Sequence, residues 1–121
     1  MKNSRTKEVA SIILEQIKAT VPASYLMSWG ARDWTPINSE DGPGLQFNVN
    51  GLLHKGFVEV ILDEGKDAYI INLVSKKGDT VDTLENIYVM ELCETLDRLI
   101  ETGDFTKEEY SNKVKEWLNK N

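Results

Sequence analysis

A chain of 121 residues with 40% hydrophobic and 28% charged side chains has the make-up of one globular domain, 1–121, which excludes disordered and fibrous classes. Its formal net charge of −6, from 20 acidic against 14 basic side chains, disfavours general nucleic-acid binding, whose affinity comes from lysine and arginine displacing counterions. No run reaches the roughly 18 apolar residues of a membrane span, and the charged start Met1–Glu8 has no secretory apolar stretch, so a cytoplasmic protein without membrane contact is expected.

Val9, Ile12, Ile13 and Ile17 recur at helical spacing and predict a first helix, with Ser4 or Thr6 to accept its free amide hydrogens and Pro22 beyond its end. Residues 24–29 are short, apolar and aromatic, as a first strand would be, and Gly30 permits a turn or bulge after them. Residues 35–44, with Pro36, Asn38, Ser39, Asp41, Gly42, Pro43 and Gly44, read as an irregular loop. Leu45-Gln46-Phe47-Asn48-Val49-Asn50 alternates strictly, which puts Leu45, Phe47 and Val49 on a buried face. The runs 57–62 and 68–74 flank the turn Asp63-Glu64-Gly65-Lys66-Asp67 and are expected to pair as a hairpin, and Lys76-Lys77-Gly78-Asp79 makes the next turn.

Val89, Leu92, Cys93, Leu96, Leu99 and Ile100 trace one face of a helix that ends at Gly103. Its start stays open: Asp82 with Glu85 resembles a capping box, while the β-branched run 81–83 equally suits a strand lasting until Asn86. Thr106-Lys107-Glu108-Glu109 is a clearer capping box, and Tyr110, Val114, Trp117 and Leu118 form the stripe of a last helix, supported by Glu109–Lys113 and Glu116–Lys120. The order implies an α+β fold: an N-terminal helix, an antiparallel β-meander of about four strands, and two C-terminal helices packed on one face.

Catalytic chemistry is narrowed by exclusion. The single histidine, His54, rules out metal sites that need two, and the single cysteine, Cys93, makes neither an internal disulfide nor a zinc knuckle and reads as a core side chain. Asn38–Gly42 does not match the calcium-loop spacing, and Gly42-Pro43-Gly44 lacks the lysine and helix of a phosphate loop. No cofactor and no metal are expected. His54 can serve as a general base only if the fold brings Asp33 or Glu40 to orient it, as a small hydrolase or transferase would require.

What remains is binding. Trp29, Arg32, Asp33 and Trp34 end the first predicted strand, and His54 and Lys55 lie in the second gap, so a meander can set them on neighbouring sheet edges as a recognition patch; the other reading makes Trp29 and Trp34 core or core-edge rings with Arg32–Asp33 a local pair. The stretch 82–109 carries nine acidic and two basic side chains, and Glu91, Glu94, Asp97 and Glu101 are candidates for an acidic helix surface that steers a basic partner.

In the motif order of a helix, then Met27-Ser28-Trp29-Gly30-Ala31-Arg32-Asp33, then Leu45–Gly51 with Lys55-Gly56, a strand bearing Tyr69 and an acidic helix, residues 6–102 resemble a set of small proteins encoded by gut anaerobic bacteria and their phages or mobile elements. That set has no assigned activity. The resemblance implies a phage- or element-borne accessory protein and assigns no catalytic residue. The reading is therefore a non-enzymatic accessory or interaction domain with a protein partner. Its alternatives are a single-stranded nucleic-acid binder stacking bases on Trp29 and Trp34, and an acidic charge mimic that blocks a DNA-binding protein.

Overall fold

Val9, Ile13 and Ile17 lie on one side of helix α1 (Lys2–Thr20) and are almost wholly shielded from water. The computed structural model describes residues 2–103 together with 112, 114–116 and 118. Two expectations for α1 are corrected. The helix already begins at Lys2, so positions 4 and 6 lie inside it rather than at its start, and Ile12 turns outward and is exposed.

Residues 24–29 are not a strand but helix α2 (Ala23–Trp29). A short apolar run suits either element, and here its punctuation decides. Pro22 holds φ at −57° just ahead of the helix, and Gly30, at φ 64°, takes the left-handed conformation that closes it. Between them Leu26 and Trp29, three residues apart, turn toward the core.

The expected loop 35–44 is likewise ordered. Strand β1 (Arg32–Ser39) pairs antiparallel with β2 (Gly42–Asn50), leaving Glu40 and Asp41 as the hairpin tip. The Ser39 hydroxyl accepts the Asp41 N–H at 3.2 Å and donates to the Gly42 carbonyl at 3.0 Å. Pro36 fits within β1 because that strand is the sheet edge, where a missing N–H costs no ladder bond on the open side.

Along β2 the alternation is as expected, with Leu45, Phe47 and Val49 buried. Strands β3 (Lys55–Asp63) and β4 (Ala68–Ser75) form the expected hairpin, with Leu62 opposite Tyr69. Strand β5 (Thr80–Ile87) settles the open question over 81–86 in favour of a strand. The described residues thus form five antiparallel strands, ordered β1-β2-β3-β4-β5, one more than the sequence suggested.

A 3-10 turn (Val89–Glu91) leads into α3 (Leu92–Asp97), which widens into a π turn (Arg98–Thr102) before Gly103. Leu92, Leu96 and Ile100 are fully buried, whereas Val89, expected on the same stripe, precedes the helix and is exposed. Helix α1 packs across β1 and β2 and meets α3, so α1 and α3 share one face of the sheet. The core lies between them, built on Phe47, Val58 and Ile71 of the sheet, on Ile13 and Ile17, and on Trp29, Leu92 and Leu96. Burying each such side chain contributes about 1.5–3 kcal/mol.

Residues 112, 114–116 and 118 are helical, with Val114 half-buried and Leu118 exposed. The capping box 106–109, Tyr110, Trp117 and the pairs involving Glu109, Lys113 and Lys120 lie outside the described residues. No described helix is long and apolar enough to cross a membrane.

Candidate functional site

The two tryptophans that bracket the Gly-Ala-Arg-Asp segment are placed by different devices. Trp29, the last residue of α2, is 0% exposed, and its Nε1–H donates to Asp97 Oδ1 at 2.9 Å, tying α2 to α3. Its ring offers no face to a base or a partner. Trp34 reaches the inner face of the sheet through an irregularity between Arg32 and Thr35, where Asp33 adopts a left-handed φ of 57°. There it stacks on Phe47, with ring centroids 4.5 Å apart and planes at 30°, and is half-buried.

Arg32 and Asp33 are exposed. The Asn48 side-chain amide donates to Asp33 Oδ2 at 2.8 Å, and Arg32 Nε lies 3.6 Å from the same oxygen. Lys55 pairs with Asn50 and Arg32 with Asn48, so both cations sit on the sheet face opposite Phe47, at the same end, on strands that flank β2. The structure therefore brings Arg32, Asp33 and Lys55 toward one another and leaves Trp29 and Trp34 on the other side.

His54 does not join them. It is buried, and its Nε2 lies 3.0 Å from the Phe57 carbonyl oxygen, which can only accept, so Nε2 carries the proton. Asp33 is engaged with Asn48, and Glu40 sits at the β1–β2 tip, at the opposite end of the sheet from the β2–β3 connection that holds His54.

That connection is clamped onto the π turn. The Ile100 carbonyl accepts the Leu53 N–H at 2.9 Å and the His54 N–H at 3.3 Å. Glu101 Oε2 accepts the Leu52 N–H at 2.9 Å. Gly51 is required here, because a Cβ would stand 2.4 Å from the Ile100 carbonyl oxygen.

The acidic helix surface is smaller than its sequence suggests. Glu101 is buried in the clamp, and Asp97 is half-buried with the Trp29 indole on it. Glu91 and Glu94 are exposed, and Glu91 Oε2 accepts the Tyr88 N–H at 3.1 Å.

Beside these carboxylates opens a cleft of about 360 Å³ lined by Tyr25, Met90, Cys93, Glu94, Asp97, Arg98 and Gly103. Its rim is apolar: Met90 is 89% exposed and Tyr25 42%, and the chain neighbours Tyr88 and Val89 are exposed too. Burial pushes the Cys93 thiol above its usual range, and the charges of Asp97 and Glu94 push it further. A thiol held protonated is a poor nucleophile.

Sequence reasoning missed this cleft because Tyr25 belongs to it only once residues 24–29 are helical. The available signal was the run Tyr88-Val89-Met90, too apolar for the surface turn that follows a strand. No protein-family model, no curated protein and no solved structure matches the chain.

Proposed function

We propose that the chain is a non-enzymatic protein-interaction domain that meets its partner on the corner formed by Tyr25 of α2 and the turn Tyr88-Val89-Met90. The observation that carries this reading is the exposure of Tyr25 and Met90 on the lining of one cleft, with Tyr88 and Val89, exposed on the same turn as Met90, bordering the neighbouring cavity. Methionine and tyrosine suit such a role, one adaptable in shape and the other wide and amphipathic. Glu91 and Glu94 at the same corner favour a basic partner.

Stacking of single-stranded nucleic acid has weaker support, since it asks for open rings at Trp29 and Trp34, one buried and one stacked on Phe47. Charge mimicry has less support than the sequence lent it, with Asp97 and Glu101 drawn into the fold. As the sequence resemblance implies, the setting is an accessory role in a phage or mobile element.

The test places a photo-crosslinking amino acid at Met90 and, as a control, at Thr35 on the far edge strand. A partner captured from position 90, not from 35, and lost in Tyr25→Ala with an unchanged melting temperature, is expected. Equal capture from both positions would refute the reading.

A further inference from the structure

We infer that the cleft beneath Met90 is a specificity pocket for an arginine side chain of the partner, a reading that rests on the proposed interaction surface and names what it selects. Tyr25 supplies an aromatic ring and Met90 a flexible thioether at the mouth, while Glu94 and Asp97 supply carboxylates from one helical turn of α3. A guanidinium matches this combination, because its flat apolar faces lie on rings and thioethers while its edge donates to carboxylates.

The cleft's volume of about 360 Å³ admits a single long side chain. Arg98 contributes one cation to the lining, four residues after Glu94, against the two carboxylates of Glu94 and Asp97, so the lining stays net negative. Burial is the main cause that raises the Cys93 thiol in the same lining, and the charges of Asp97 and Glu94 add to it. Glu91 and Glu94, both exposed beside Met90, add a local negative field at the mouth. Asp97 also holds the Trp29 indole at 2.9 Å, so the pocket wall is fixed to the core and does not have to be organised on binding.

The test uses the full chain with carbon-13 methionine methyls and the probe acetyl-Leu-Arg-Leu-amide, with the Gln and Lys tripeptides as comparisons. Saturable movement of the Met90 methyl, but not of Met27, is expected with the Arg probe, together with protection of Cys93 from a thiol reagent. Affinity is expected to fall about fivefold or more for the Gln probe, and by a similar factor in Glu94→Gln and Asp97→Asn. The Asp97→Asn variant keeps a side-chain oxygen to accept the Trp29 N–H, and unchanged melting temperatures would show that both variants keep the fold.

Equal binding of the Gln probe overturns the cation pocket, and equal binding of the Lys probe overturns the assignment to arginine; in both cases the interaction surface stands. If no probe moves Met90 while the crosslinker at 90 captures a partner, the pocket fails alone. If the Arg probe binds as described while the crosslinker captures nothing, the pocket holds and the wider protein-interaction reading fails.

Discussion

Replacing Trp29 by phenylalanine removes one indole N–H and part of one ring from a site with no solvent access, and its cost can be worked from the two losses. The ring change leaves a void of about 40 Å³, which at roughly 24 cal/mol per Å³ costs about 1 kcal/mol. The lost bond to Asp97 Oδ1, 2.9 Å long and made to a charged acceptor, adds about 1.5–3 kcal/mol. Together these reach about 2.5–4 kcal/mol, a large share of the roughly 5–15 kcal/mol that holds a domain folded. Asp97 has a further interaction besides the indole, so Asp97→Ala alone overstates the bond. A double-mutant cycle removes that extra contribution, since it enters both arms equally. Urea unfolding of the wild type, Trp29→Phe, Asp97→Ala and the double variant, followed by circular dichroism, should give a coupling of about 1.5–3 kcal/mol. A coupling under about 0.5 kcal/mol would show that the indole is held by packing alone and that Asp97 does not anchor α2 to α3.

Three further outcomes follow from single sites. Gly56→Ala meets a backbone at φ 148° and a Cβ position 2.3 Å from the Val74 carbonyl oxygen, so it should cost about 3 kcal/mol or more; a melting temperature within a degree or so of wild type contradicts this. Burial holds the Tyr69 hydroxyl above its usual range, the hydrogen bond it donates to Gln16 Oε1 partly offsets this, and the charge of Asp67 adds to it. The unfolded chain therefore releases that proton at lower pH than the folded one, and the stability contribution is whole below about pH 10 and is lost as pH climbs through the folded value. Urea midpoints at about pH 9 and 11 should fall less for Tyr69→Phe than for wild type, and equal falls would sink the assignment. Cys93 should react slowly with a thiol reagent at about pH 8, and Glu94→Gln, by removing one of the charges that raise it, should speed the reaction; an unchanged rate would mean that the carboxylate does not act on the thiol.

The meander was legible wherever side chains alternate against one buried face, as along Leu45, Phe47 and Val49 and in the hairpin from Phe57 to Val74. It was not legible in β1, because Pro36, Asn38 and Ser39 are turn-forming residues that an edge strand tolerates on its open side. Residues 24–29 failed for another reason: six apolar and small residues carry no period, and the Pro22 and Gly30 that frame them were the better guide.

The acidic helix shows why charge counted along a sequence misjudges a surface. On a regular helix Glu101 stands about 140° from the centre of the Leu92–Leu96–Ile100 stripe, which reads as solvent-facing. The π turn over Arg98–Thr102 slows that rotation, and the β2–β3 connection comes up to meet it with the Leu52 N–H, so the carboxylate serves the fold. Asp97 is drawn inward by an indole 68 residues away in sequence, a partner no local pattern announces. Of the four carboxylates expected as one surface, Glu91 and Glu94 keep their exposure, and they stand beside Met90. The field left to steer a partner is therefore local to the cleft rather than spread along the helix. Two exposed carboxylates suit a compact basic contact better than the long polyanion-like surface that a nucleic-acid mimic needs.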